Sequence, residues 1–186
     1  MACDITAGRK IPCKDIIGGI TKVYIINFGE LGTVTTNSGD EISDMTGTAS
    51  AYQYDLKGTS SLEEAINSSR DTGTTFFEQT LALTLQKQTA ADSNQMRLIA
   101  YNRPQIFVLD TNNNIYLLGM DNGCDMTSGT VVSGAAKGDM PGYTFGFVAK
   151  EKEAQIWLPA AGSEGTTLFP FDGLTDEANI NIVLGT

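Results

Sequence analysis

Apolar residues in this chain recur mostly at every second position, in short runs broken by Gly, Asn and Asp. The pattern is clearest in TTFFEQTLALTLQK, residues 74 to 87. There Phe77, Gln79, Leu81, Leu83 and Leu85 share one parity. Glu78, Thr80, Ala82, Thr84 and Gln86 share the other, after Phe76. Period-two alternation of this length predicts a strand with one dry face and one wet face. At ~3.4 Å per residue it would run roughly 45 Å, against ~20 Å for an ordinary strand. Asp71-Thr72-Gly73 just before it reads as a turn, so Leu62 to Ser69 is expected to be the partner strand of a long hairpin. In that partner Leu62, Glu64, Ile66 and Ser68 lie on one face, although Leu62, Ala65 and Ile66 also fit a helical turn.

Elsewhere the chain reads as further strands and a single helix. Lys22 to Phe28 is a β-branched and aromatic run of the buried kind, followed by turn signals at Gly29, Gly32 and Asn37 to Asp40. Ala49 to Lys57 alternates, with Tyr52, Tyr54 and Leu56 opposite Gln53 and Asp55. Residues 89 to 102 predict the helix: Thr89 or Asp92 caps it, Met96, Ile99 and Ala100 form its apolar stripe, and Pro104 prevents continuation. Pro104 to Asp110 and Ile115 to Met120 flank an Asn112-Asn113-Asn114 turn, since Asn tolerates positive φ. Gly123 to Val132 pairs with Gly142 to Glu151, where Tyr143, Phe145, Phe147 and Ala149 alternate with Thr144, Gly146, Val148 and Lys150. The expected organisation is an N-terminal arm over 1–22, a β domain over 23–152 and a C-terminal extension over 153–186. That extension carries Trp157, Phe169, Phe171 and a last apolar run from Ile180 to Leu184, and packs on the domain or on a neighbouring subunit.

Composition narrows the function. With 41% hydrophobic and 18% charged residues, the 186-residue chain is globular rather than disordered. The net charge of −10 leaves no surplus of Lys and Arg for gripping phosphates. Arg9, Lys10, Lys14 and Lys22 precede a stretch that has no base until Lys57 but holds Glu30, Asp40, Glu41, Asp44 and Asp55. That stretch reads as a solvated acidic surface or, more sharply, as a patch that receives the basic arm of another copy. Cys3, Cys13 and Cys124 are odd in number and lack CxxC spacing, so free thiols are expected, with a Cys3–Cys13 bridge as the alternative. No apolar run approaches the ~20 residues needed to cross a bilayer as a helix, and no signal peptide is evident at the start.

Catalytic and metal signatures are missing. The chain contains no histidine, which removes His-based triads, His metal sites and the commonest general base. Walker, GxSxG and dinucleotide-binding spacings are absent. Asp110, Asn112, Asn114 and Asp121 resemble a calcium loop, but Ile115 stands where such a loop needs Gly, so a hairpin turn is the better reading. Asp121, Asn122 and Asp125 read as a solvated turn. Glu63 and Glu64 cannot flank one glycosidic bond, because neighbours on a strand point to opposite faces. Trp157, Tyr52 and Tyr54 are expected in core packing, with a sugar-stacking platform as the alternative. The chain is therefore expected to be no enzyme and to need no cofactor or metal.

A long hairpin with a neutral polar face leaves strand edges open, which a lone soluble protein usually blunts. Pairing with copies of itself in a closed ring removes those edges. Here the order of elements and the local wording carry a resemblance. FFEQTLALTL (Phe76 to Leu85) is followed by LIAYNRP (Leu98 to Pro104) and IFVLDTNNNIYLLGMDNG (Ile106 to Gly123). Last comes GAAKGDMPGYTFGFVAKE (Gly134 to Glu151). Over roughly residues 48 to 151 the chain resembles the tail-tube proteins of tailed bacteriophages, a family whose fold also builds the inner tubes of contractile injection machines.

The resemblance implies a β-sandwich or half-barrel with one short α-helix, and a long hairpin that joins an inter-subunit β-barrel in a ring. The rings would be six-membered, stacked by loops and terminal arms. Glu78, Thr80, Ala82, Thr84 and Gln86 would face the channel, and Phe77, Leu81, Leu83 and Leu85 the subunit core. The implied partners are other copies of the chain and other tail proteins. Double-stranded DNA would pass through without specific binding, and no membrane is involved. The implied location is the virion tail, assembled in the host cytoplasm. The alternatives are another ring-forming virion component (tail terminator, baseplate or connector protein) and a carbohydrate-binding β-sandwich.

Overall fold

The computed structural model describes residues 7–10, 13–37, 41–57, 59–159, 169–174 and 179–185. Cys3 lies outside them, and with it the Cys3–Cys13 alternative, as do residues 38–40 of the expected turn. The fold is mainly β, with one helix among the described residues. The first strands are β1 (Ile20–Ile26), β2 (Val34–Thr36), β3 (Ile42–Met45) and β4 (Ala49–Asp55). The long hairpin is β5 (Ser61–Ser69) and β6 (Thr74–Gln86), and the helix α1 (Ala90–Tyr101) follows. Then come β7 (Gln105–Asp110), β8 (Ile115–Leu118), β9 (Asp125–Val132) and β10 (Gly142–Glu151), and finally β11 (Ile156–Leu158) and β12 (Ile180–Val183).

Three sheets result. The largest is open and six-stranded, in the order β11-β8-β7-β1-β4-β12, and the second is open and four-stranded, in the order β5-β6-β10-β9. β2 and β3 form a separate pair. Residues 62–69 are thus extended, and the helical-turn alternative for them falls. β1 both begins and ends two residues earlier than the sequence suggested, which leaves Phe28 beyond its end and half exposed.

The six-stranded sheet is buried on both faces, which is why β1 and β7 read as continuous apolar runs without alternation. Val23, Ile106 and Val108 point into a layer shared with Leu81, Leu83, Tyr143, Phe145 and Phe147 of the four-stranded sheet. Their neighbours Tyr24, Ile26, Phe107 and Leu109 point the other way, into a layer closed by Ile42, Met45, Phe171 and Leu174. Phe171 meets Tyr24 and Phe107 edge-on, with ring centroids 5.5 and 5.1 Å apart. The chain after residue 153 therefore supplies core side chains and two sheet strands. β11 pairs antiparallel with β8, and β12 parallel with β4.

Thr89 caps α1: its side chain accepts from the Asp92 N–H, while its hydroxyl donates to the Asp92 carboxylate at 2.6 Å. Met96 is buried and Ile99 packs on the inter-sheet layer. Ala100, expected in the stripe, is exposed, because the helix has by then reached the rim of that layer. In the β7–β8 turn Asn113 adopts φ 62°. Asp110 Oδ1 accepts the backbone N–H groups of Asn112 and Asn114, at 2.7 and 2.8 Å. Those donors, with Asn114 Nδ2 on Oδ2, commit the carboxylate to the turn. The arm is tied to this turn, since Thr111 N–H donates to Gly19 O and the Thr111 hydroxyl to Ile17 O.

Tyr54 packs against the inter-sheet layer, but Tyr52 and Trp157 are partly exposed, contrary to the expected core packing. β4 and β11 lie on opposite sides of the six-stranded sheet, so these rings form no common platform. Trp157 instead meets Tyr116 edge-on, with ring centroids 4.7 Å apart.

Candidate functional site

The four-stranded sheet carries the long hairpin and turns one face to solvent. Its strands alternate in direction, and the register aligns Gln86, Thr84, Ala82, Thr80 and Glu78 of β6 with Gly142, Thr144, Gly146, Val148 and Lys150 of β10. All ten lie on the face turned away from the inter-sheet layer, joined by Ser61, Glu63 and Ala65 of β5 and by Ser128 and Thr130 of β9. Thr80, Ala82 and Gln86 are exposed and Glu78 and Thr84 half-buried. On the opposite face Leu81 and Leu83 are buried, while Phe77 and Leu85 are half-buried.

The outer face is small, polar and nearly neutral. Glu78 pairs with Lys150 at 3.4 Å, and the Thr130 and Thr144 hydroxyls bond across the β9–β10 pair. Gly146 keeps the surface low there, since a Cβ would lie 2.5 Å from Ser128 Oγ. The Thr84 hydroxyl donates to Thr59 O at 2.9 Å, holding the chain that leads into β5.

Gln79 is the buried polar residue on the inner face of β6. Its Oε1 accepts Gly119 N–H at 3.1 Å and its Nε2 donates to Glu64 Oε2 at 3.2 Å. Glu64 Oε2 also accepts Gln155 N–H at 2.7 Å. This relay ties the hairpin to the end of β8 and the start of β11, which explains why a polar residue is tolerated there.

Among the described residues the two edges of this sheet are open. β5 pairs with β6 alone and β9 with β10 alone. The hairpin also runs beyond its support, because β10 reaches only as far as Phe77. Ile66 lies opposite Phe77 on the inner face, yet it is 69% exposed. Sequence parity placed Ile66 on one face with Leu62, Glu64 and Ser68 but gave no sign that the layer beneath it ends.

Other polar groups offer little chemistry. Glu151 is buried, and burial raises its carboxyl pKa, partly offset by the Asn122 N–H that it accepts at 3.0 Å. The Cys124 thiol is pushed well up, first by burial and then by the nearby Glu151 and Asp125 carboxylates. Cys13 is exposed. In a Cys3→Ser background, a thiol reagent should therefore label Cys13 quickly in the folded protein and Cys124 only on unfolding. Rapid labelling of both by mass spectrometry would contradict the burial of Cys124.

Among the described residues no three His, Cys, Asp or Glu side chains are grouped to hold a metal ion. Among them, too, no helix is long and apolar enough to cross a membrane. A cleft of about 330 Å³ opens between β5 and the six-stranded sheet, lined by Glu64, Asp110, Tyr116 and Gln155 with Ile17 at its rim. Comparison with protein-family models, with curated proteins and with solved structures finds no match.

Proposed function

We propose that this chain is a subunit of a bacteriophage tail tube, a virion protein that closes into rings, probed best through its four-stranded sheet. The rings stack around the channel through which DNA is ejected. The observation that carries the reading is the pair of open edges on that sheet. β5 and β9 run antiparallel to one another, because the strands between them alternate. A copy placed beside the first by simple rotation therefore brings its β5 antiparallel to the first copy's β9, and the sheet continues without a break.

The stagger of the edges is consistent with closure. β5 lies level with residues 74–82 of β6, and β9 with residues 80–86. Their midpoints differ by about five residues, or ~17 Å along the strands. Four strand spacings are ~19 Å. If each β9 lies fully alongside the next β5, the strands tilt by roughly 40° to the ring axis, within the ~35–45° of closed barrels. About six copies, the number the family resemblance implies, would then enclose a barrel roughly 48 Å across at the backbone. That width leaves room for hydrated duplex DNA.

The face turned into such a channel would carry Glu78, Thr80, Ala82, Thr84 and Gln86. A surface of hydroxyls, amides and small side chains, with Glu78 already paired to Lys150, offers phosphate no cationic hold. DNA would slide past it rather than bind. The inner face, with Leu81 and Leu83, would hold the wall to the rest of the subunit. Other tail proteins would cap or surround the tube.

Electron microscopy of the purified chain, across a range of salt and protein concentrations, tests the reading. Hollow tubes of stacked rings are expected. Compact monomers under every condition would refute it, and single rings that never stack would point to another ring component of the tail.

A further inference from the structure

The fold leaves several large apolar side chains in solvent, and three of them sit near the two edges of the four-stranded sheet, Ile66 on β5 and Leu98 and Tyr101 on the helix beside β9. Ile66 is 69% exposed, Leu98 53% and Tyr101 85%. Leu98 and Tyr101 are three residues apart and so share a face of α1, turned away from the packed Met96 and Ile99. Among the described residues that face lies outside both core layers.

α1 lies beside β9 on the inner side of the sheet. Just before the helix, Gln88 Nε2 donates to Val132 O, and just after it Arg103 pairs with Asp125 at 3.7 Å. The helix thus descends along β9 from its last residue to its first. Leu98 is ten residues beyond Gln88, ~15 Å of helix, which brings it level with Thr127, ~17 Å of strand from Val132.

The stagger that sets the barrel tilt places the midpoint of a neighbour's β5, Ala65, opposite the midpoint of β9, between Ser128 and Gly129. Of those two, Ser128 shares the outer face with Ala65, so Ala65 falls opposite Ser128 and Ile66 opposite Thr127. Its side chain projects to the inner side, where α1 lies. We infer that Ile66 of each hairpin packs against Leu98 and Tyr101 of the adjoining copy and thereby sets the register between copies.

The inference rests on the tube reading and adds the side chains that choose where a neighbour stops. Backbone pairing between β5 and β9 does not choose by itself. A slip of two residues preserves the hydrogen-bonding pattern, at the loss of a terminal bond at most, and keeps each side chain on its own face. Such a slip would change the shear of the barrel, and with it tilt and diameter. An apolar contact between hairpin and helix is made at one register only.

Two measurements test the contact. Ile66→Asp and Leu98→Asp alter exposed positions, so circular dichroism and the melting temperature of the monomer should match the parent chain. The concentration at which tubes form should rise by about tenfold or more, because each carboxylate must lose water against apolar partners. Separately, Ile66→Cys with Leu98→Cys, in a Cys3→Ser and Cys13→Ser background, should join assembled copies into a covalent ladder with a short bis-maleimide. Either single cysteine should give none. Normal tube formation by Ile66→Asp, or assembled double-cysteine chains that run as single copies on a denaturing gel, would overturn the contact while leaving the tube reading intact. A parent chain that never assembles would remove both.

Discussion

Leu83→Asp is expected to abolish the folded subunit, whereas Thr84→Asp, one residue along, should leave it standing. Leu83 is 3% exposed, lies opposite Phe145 of β10 and belongs to the layer between the sheets. Replacing it removes ~2–3 kcal/mol of apolar burial and adds ~3–5 kcal/mol for an uncompensated buried charge. The sum is comparable with the ~5–15 kcal/mol that holds a typical domain together.

A carboxyl forced into that layer would have a raised pKa, so its neutral form suits the folded state better. The variant should accordingly recover some stability as pH falls through that raised pKa and lose it again as pH rises. Thr84 lies on the opposite face and is half-buried. Its substitution forfeits the hydroxyl bond to Thr59 O, a cost of about 1 kcal/mol. Urea titrations followed by circular dichroism decide the matter, and equal destabilisation by the two variants would show that the faces of β6 are misassigned.

Phe171→Ala should destabilise the chain by about 3–5 kcal/mol, the usual cost of deleting a buried aromatic ring. Phe171 is fully buried and meets both Tyr24 of β1 and Phe107 of β7. The expected loss of an interior ring contrasts with Trp157→Ala. Trp157 is partly exposed and its ring contact is with Tyr116, so its removal should cost distinctly less. Thermal and denaturant melts of both variants compare them directly. A Phe171→Ala protein as stable as its parent would mean that the segment at 169–174 is an ornament on the outer surface, not a cover for the six-stranded sheet.

The extended segments were legible wherever one face is wet. In β6 and β10 the alternation of Leu or aromatic residues with Thr, Gly and Lys follows directly from a sheet that has water on one side. The Asn turn at 112–114 and the Thr89 cap were legible for a similar reason, since each is settled within five residues by local hydrogen bonding. In β1 and β7 alternation vanishes because odd and even residues enter two different apolar layers. The sequence there announces burial but not what lies on either side.

The long-range features were not legible. That β12 returns to pair in parallel with β4, and that residues 169–174 cover the far face of the sheet, depends on contacts between segments far apart in the chain, which no local pattern encodes. Parity put Ile66 on a face with Leu62, but its exposure follows from where β10 stops, a property of a different strand. Leu98 and Tyr101 stood on the unused side of a visible helical stripe, a signal available in the sequence yet without meaning until β9 was found beside them. The sequence alone thus determined the long alternating strands, the helix and the Asn turn, because periodicity and capping act over a few residues, but not the short strands β2, β3 and β11, which have too few residues to show a period. Only the tertiary structure decided which strands become neighbours and where each supporting layer ends. Those boundaries arise from packing between distant segments, and they leave the two open edges on which assembly would depend.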